Sequence, residues 1–245
     1  VFKTGKPVIG MLHLRGETDE DKFDIARTEA DQLTAGAVDA GLVEDYFGSA
    51  EVVEKVLAYL QAERPDITYG VNILDDYERT FAAAAAYGAT FVQLDAVAGQ
   101  LPPEEDPAFA ERLAQLREST QVLILGGVRF KYQPVRSGRT LEEDLALGVQ
   151  RCDVIVVTGP GTGIETDPDK IQQFRELVGP DYPLFVGAGV TVDNAAAQLE
   201  HTDGAIIGSY FKQEHRDSEA LEPEYVASLM STIRSIRADH AGRPR

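Results

Sequence analysis

Short apolar runs recur along the chain at nearly even spacing. They are "PVIGMLHL" (7–14), "GLVED" (41–45), "ITYGVNI" (67–73), "TFVQLD" (90–95), "QVLILGGV" (121–128), "DVIVVTG" (153–159), "PLFVGAG" (183–189) and "GAIIGS" (204–209). Their ends fall near residues 13, 44, 72, 95, 127, 158, 187 and 208, which are 21 to 32 residues apart. One strand, one helix and two loops fill such an interval. Between the runs the period changes. Phe23, Ala26, Ala30, Leu33 and Ala37 share one helical face, as do Val52, Val53, Val56, Leu57 and Leu60. Thr140 and Glu143 have capping-box spacing. Asp167-Pro168 reads as a helix start, Gly179-Pro180 as its stop, and a last helix is predicted over 222–237.

Eight strands alternating with eight helices, without a linker, predict an α/β protein with a single (β/α)8 TIM barrel over residues 1–240. Residues 241–245 read as a polar tail. An open, doubly wound sheet is the alternative.

Strand parity then predicts which side chains face the barrel axis. In "FVQLD", Val92 and Leu94 should turn outward to the helices, and Gln93 and Asp95 inward. By the same alternation Glu44, Asn72 and His13 point inward, and the fifth strand can bring Lys131 to the same mouth, with Arg129 close by. Charged groups at strand ends make poor core residues, which favours a site. Arg136 and Arg139 read as solvated loop charges, either of which could reach an anion, and Cys152 as a small buried apolar group.

Glycines cluster behind the last strands. The loops after strands seven and eight of such barrels commonly bind phosphate, because backbone amides can approach an anion where no Cβ intrudes and a following helix N-terminus helps. Gly187, Gly189 and Val190 would supply amides from the seventh loop, and Gly208 and Ser209 from the eighth. The same glycines could instead serve ordinary turns. The sixth loop, "TGPGTGIETD" (158–167), carries Thr158, Gly159, Gly161, Thr162 and Gly163, and reads either as a closure loop over a ligand or as a static turn. It holds neither a dinucleotide-binding nor a Walker fingerprint.

Composition narrows the partners. With 41 acidic and 23 basic side chains the formal charge is −18, which opposes nucleic acid and anionic membranes. Lysine is scarce, consistent with either a salt-rich habitat or a merely acidic, soluble surface. No apolar stretch is long enough for stable membrane insertion, and one cysteine excludes an internal disulfide, so a cytoplasmic location is expected. No cofactor is expected. His13, Glu44 and Asp95 could contact a divalent metal, but no short ligand spacing supports one. Self-association into a homo-oligomer is left open.

"KPVIGMLHL" (6–14), "VIVVTGPGTGIETD" (154–167), "LFVGAGVTVDN" (184–194) and "DGAIIGSYFK" (203–212) together resemble the BtpA/SgcQ family over nearly the whole chain. The resemblance implies a TIM-barrel-like fold. The family takes its name from a role in photosystem I biogenesis, other members accompany sugar-utilisation genes, and no single reaction attaches to the whole. The chain departs from the family pattern in its short "RGETDED" loop, in "VEDYFG", in "QLDA" (Asp95 where asparagine is usual) and in "GGVRFKY", which keeps Lys131 but not a histidine.

The leading expectation is an enzyme acting on a phosphorylated small molecule, a sugar phosphate or phosphoribosyl compound, as an isomerase or lyase. Asp95 or Glu44 would be the base, Lys131 an electrostatic stabiliser or Schiff-base amine, and His13 a proton carrier. Phosphoribosylanthranilate isomerase chemistry itself is not expected, since the first strand brings His13 where that enzyme needs a cysteine. The second reading is a non-catalytic assembly factor that keeps an anion-binding barrel.

Overall fold

The structure of the protein, a computed structural model, describes residues 1–2 and 4–241. Eight parallel strands close into a barrel in chain order. They are β1 (Val8–Leu12), β2 (Ala40–Glu44), β3 (Tyr69–Asn72), β4 (Phe91–Ala98), β5 (Leu123–Val128), β6 (Val154–Val157), β7 (Leu184–Val186) and β8 (Gly204–Ile207). Outside them lie α1 (Asp19–Ala35), α2 (Ala50–Glu63), α3 (Tyr77–Tyr87), α4 (Asp106–Glu118), α5 (Leu141–Arg151), α6 (Pro168–Val178), α7 (Ala195–Gln198) and α8 (Pro223–Ala241). Of the expected polar tail, residues 242–245 lie outside the described residues, and Ala241 ends α8.

Seven strands end within one residue of the expected positions. The fourth does not: it continues past Asp95 to Ala98, with a register irregularity against β5 between Leu94 and Ala98. Such irregularities bend a strand and re-aim its side chains, here beside Asp95.

Two apolar layers follow from the alternation. Ile9, Met11, Leu42, Phe91, Leu125, Val156, Phe185 and Ile206 fill the barrel axis. Val8, Leu12, Val43, Val71, Val92, Leu94, Ile155 and Val186 pack outward against the helices. Phe2 closes the amino-terminal end, its ring 5.7 Å from Phe91 and 6.0 Å from Phe185. The carboxyl end is left for the site.

The helix signals hold in detail. Thr140 and Glu143 form a reciprocal capping box, Asp167 caps α6 with Pro168 in its first turn, and all five named α2 positions are buried. Three expectations change. Ala37 lies beyond the end of α1 with φ of 60°, so it does not extend that face. The last helix runs four residues past Arg237. The seventh helix is a single turn, and β8 is followed by the 3-10 turn Ser209–Phe211, so the dipole support expected behind the glycine loops is small.

Candidate active site

A cavity of about 390 Å³ opens at the carboxyl end of the strands. Its floor comes from residues that alternation turned inward: His13 past β1, Glu44 ending β2, and Gln93 with Asp95 on β4. Lys131 reaches it from the loop after β5, where its amide donates to Thr158 Oγ1 at 2.9 Å. Asn72 lies beneath the floor rather than on it. Its Nδ2 donates to Glu44 Oε2 at 2.9 Å and to Asp95 Oδ1 at 3.1 Å, clamping the two carboxyl groups together. Gln93 Nε2 gives Asp95 Oδ1 a second amide hydrogen bond at 3.2 Å.

This clamp makes the two acids unequal. Burial, and then the neighbouring Asp95 carboxylate, push Glu44 up to about 8. Burial raises Asp95 as well, but hydrogen bonds from Gln93 and Asn72 favour its ionised form. Of the pair, Asp95 has the larger share of hydrogen bonds favouring the carboxylate form. Lys131 forms no ion pair with either, there being no carboxylate within 4.0 Å of its Nζ among the described residues. It is the one lysine or arginine among the described residues lining the cavity.

Glu44 therefore couples stability to pH. Between its ordinary value of 4.5 and about 8 the folded chain holds a proton that the unfolded chain releases, so stability falls as pH rises through that window. Glu44→Gln removes the ionisable group. We expect its melting temperature to exceed that of the wild type by roughly 2–6 °C at pH 8.5, and the gain to vanish near pH 4.5. Calorimetric melts across that range check this; a gain independent of pH would show that Glu44 is already ionised in the fold.

His13 is buried, and its ring packs 5.2 Å from Tyr46 and 6.4 Å from Phe47. Burial, reinforced by Lys212 and Lys131, pushes it down to about 3. At ordinary pH this favours the neutral imidazole. The eighth loop makes room for it: a Cβ on Gly208 would lie 2.7 Å from His13 Cε1. Behind it Lys212, fully buried, donates to Glu29 Oε2 at 2.6 Å, and Glu29 also accepts from Arg15 Nε at 3.2 Å.

The opposite wall is backbone. Gly187, Gly189, Val190, Gly208 and Ser209 all line the cavity. The Gly187 amide donates to Val157 O within the sheet, so the donor expected there is already committed. The amides of Ala188, Gly189, Val190, Gly208, Ser209 and Tyr210 have no acceptor among the described residues, and neither has the Ser209 hydroxyl. Gly189 has a reason to be glycine besides anion approach. Its φ is 71°, and a Cβ there would overlap the Glu165 backbone and the Ile164 carbonyl.

The sixth loop thus rests on the seventh. Thr166 Oγ1 donates to Ala188 O at 3.1 Å, and Gln198 Nε2 to Thr166 O at 2.7 Å. Thr162 and Gly163 reach the cavity, and the Thr162 amide donates to Tyr132 Oη at 2.8 Å. Thr158, Gly159 and Gly161 do not line it; the Thr158 carbonyl accepts from Lys170 Nζ.

Arg129 leaves the mouth. It adopts φ of 48°, and its guanidinium donates to Asp144 Oδ2 at 2.9 Å and to the Arg139 carbonyl. Arg139, expected to be solvated, donates to Asp106 Oδ2 at 3.1 Å. Cys152 is buried as expected, its thiol pushed up to about 12 by desolvation. Sequence reasoning missed Tyr46, Asp75, Tyr132, Gln133, Tyr210 and His215 in the lining. All six sit on loops past the strand ends, where alternation carries no information. Among the described residues, no group of three His, Cys, Asp or Glu side chains is placed to hold a metal ion.

The model of the BtpA family matches residues 4–235. The chain belongs to the BtpA family. Relatives include the photosystem I biogenesis protein BtpA of Synechocystis, 24% identical over 95% of this chain and 89% of that one. The putative sgc region protein SgcQ of Escherichia coli is 24% identical over 97% of each chain. An uncharacterised Methanocaldococcus jannaschii protein is 24% identical over 95% of this chain and 97% of its own. Among solved structures, one described as native KDPGal has a TM-score of 0.64 at 15% identity, covering 96% of this chain and 98% of that one. Phosphoribosyl anthranilate isomerase from Thermus thermophilus has 0.62 at 13%, covering 94% and 99%. These likenesses show that this BtpA-family chain shares their fold. No described helix is long and apolar enough to cross a membrane.

Proposed function

We propose that the protein is an enzyme acting on a phosphorylated small molecule, a sugar phosphate or phosphoribosyl compound, by isomerase- or lyase-type proton transfer. The observation that carries this is a floor on which two buried carboxyl groups are joined by the Asn72 amide, facing a wall of backbone amides without protein acceptors. Paired carboxyl groups in unequal surroundings suit a reaction in which a proton leaves carbon and another reaches oxygen.

In this scheme the phosphate sits against the amides of 188–190 and 208–210, with the Ser209 hydroxyl as a further donor. Asp95 removes a proton from the carbon beside a carbonyl. Glu44 donates its proton to the carbonyl oxygen as the enediol forms, and Lys131 stabilises the negative charge that develops there. Neutral His13 offers one more hydrogen bond. The tip of the sixth loop, Thr162 and Gly163, closes the cavity over the ligand while its base stays docked on the seventh loop. The net charge is unsuited to nucleic acid.

Titration calorimetry with inorganic phosphate and ribose 5-phosphate tests the anion wall. Ser209→Ala should weaken binding by about 5–10-fold, and Ser209→Asp, which places a carboxylate in the site, by at least ~100-fold. Unchanged affinities in folded variants would move the phosphate elsewhere. The name of the Synechocystis relative favours a second reading, an assembly factor. A screen in which no phosphorylated metabolite shifts the melting temperature supports it.

A further inference from the structure

Beside the main cavity lies a smaller one of about 60 Å³. Asp75, Asp95 and Gln133 line both, so the small space adjoins the large one as a side pocket beside the floor. Asn72, Gln100 and Tyr77 complete its wall.

The hydrogen-bonding inventory of this side pocket is lopsided. Asn72 Nδ2 is spent on Glu44 and Asp95, which leaves its Oδ1 as an acceptor. Both amide donors to Asp95 go to Oδ1, so Oδ2 accepts nothing from the described residues. Gln100 is 9% exposed; its Nε2 donates to Ala96 O at 3.3 Å, and its Oε1 is buried with no partner. Turning that amide over would set oxygen against the Ala96 carbonyl, so the orientation is fixed by chemistry. The Asp75 carboxylate has no hydrogen-bond or ion-pair partner among the described residues, and Asp75 is held at φ of 59°. The Tyr77 hydroxyl and Gln133 amide can serve as donor or acceptor. Every group of fixed role is an acceptor, and two of them are carboxylates.

A buried acceptor without a donor costs free energy, and Gln100 Oε1 is such a group. A ligand that satisfies it must bring hydrogens, and beside two carboxylates positive charge is favoured. The volume admits a small head group only.

We propose that this side pocket binds a primary ammonium group, so that the substrate is a phosphate ester carrying an amine, such as an amino sugar phosphate. The inference rests on the reading of the main cavity as a phosphorylated-substrate site. The amine lies against Asp75 and Gln100 Oε1, which leaves Asp95 Oδ2 free to act as the base, while the phosphate takes the amides of the seventh and eighth loops. A phosphate at one end and an ammonium at the other fix the direction in which the molecule lies across the Glu44–Asp95 floor.

The test is titration calorimetry with two matched pairs, glucosamine 6-phosphate against glucose 6-phosphate and glucosamine against glucose. In the wild type the amine should improve affinity by about tenfold or more in both pairs, as expected for a charge-assisted hydrogen-bonded contact. Gln100→Leu fills the wall without a charge change and should abolish that preference, leaving glucose 6-phosphate binding unchanged. Asp75→Asn, at the rim, should reduce the preference without affecting the fold. Equal affinity within each pair, or a preference that survives in Gln100→Leu, overturns the amine site. Glucosamine binding over glucose without any gain from phosphate keeps the amine site and overturns the phosphate reading; silence from all four probes overturns both.

Discussion

Asp95→Asn is expected to lower kcat by about a thousandfold on any substrate the protein turns over, with the fold and phosphate affinity preserved. The amide matches the carboxyl in size, so the clamp from Asn72 and Gln93 needs only to re-orient. What disappears is the carboxylate assigned as the base. The pH dependence should show both acids. The rate rises as Asp95 loses its proton, above the usual carboxylate range because burial raises it, and falls above about 8 as Glu44 loses the proton it must donate. Glu44→Gln should leave low activity without the alkaline fall. Lys131→Met should likewise lose most turnover, since it removes the cation facing the developing oxyanion. Steady-state kinetics with circular dichroism decide the matter: wild-type kcat in folded Asp95→Asn and Lys131→Met eliminates this chemistry.

Gly189→Ala is expected to cost the fold about 3 kcal/mol or more, a fall of roughly 6–12 °C in melting temperature. The substitution adds one methyl group, yet that methyl meets the backbone of Ile164 and Glu165, which cannot rotate away as a side chain would. The residue also sits at φ of 71°, where any Cβ is strained. The sixth loop must lift off the seventh, breaking the Thr166 to Ala188 bond. Gly179→Ala, at φ of 87° with nothing near its Cβ, is the control that carries the backbone strain alone. Equal melting temperatures for the two variants would mean that packing against the sixth loop contributes nothing.

Much of the site was legible from strand alternation. His13, Glu44, Gln93 and Asp95 line the cavity floor because side chains on a strand alternate strictly, so an outward Val43 or Leu94 determines its neighbour. The same rule turned Asn72 inward but could not show that it would end beneath the floor as a clamp. Arg129 shows where the rule stops. It was expected near Lys131 on shared parity, but β5 ends at Val128, and a left-handed backbone at Arg129 sends its guanidinium to Asp144 on α5. Gly189 lines the cavity as expected, but alternation could not show that its missing Cβ also makes room for the sixth loop.

By itself the sequence determined the barrel, its eight strands and the inward residues, because period-2 and period-3.6 patterns are local consequences of backbone geometry. Only the tertiary structure decided how the two acids are hydrogen-bonded, which loop amides stay unpaired and which glycine supports the sixth loop. Those properties depend on distances between residues far apart in the chain, such as Glu44, Asn72 and Asp95, and on the exclusion of water around them. Neither is encoded in the order of polar and apolar residues along one strand.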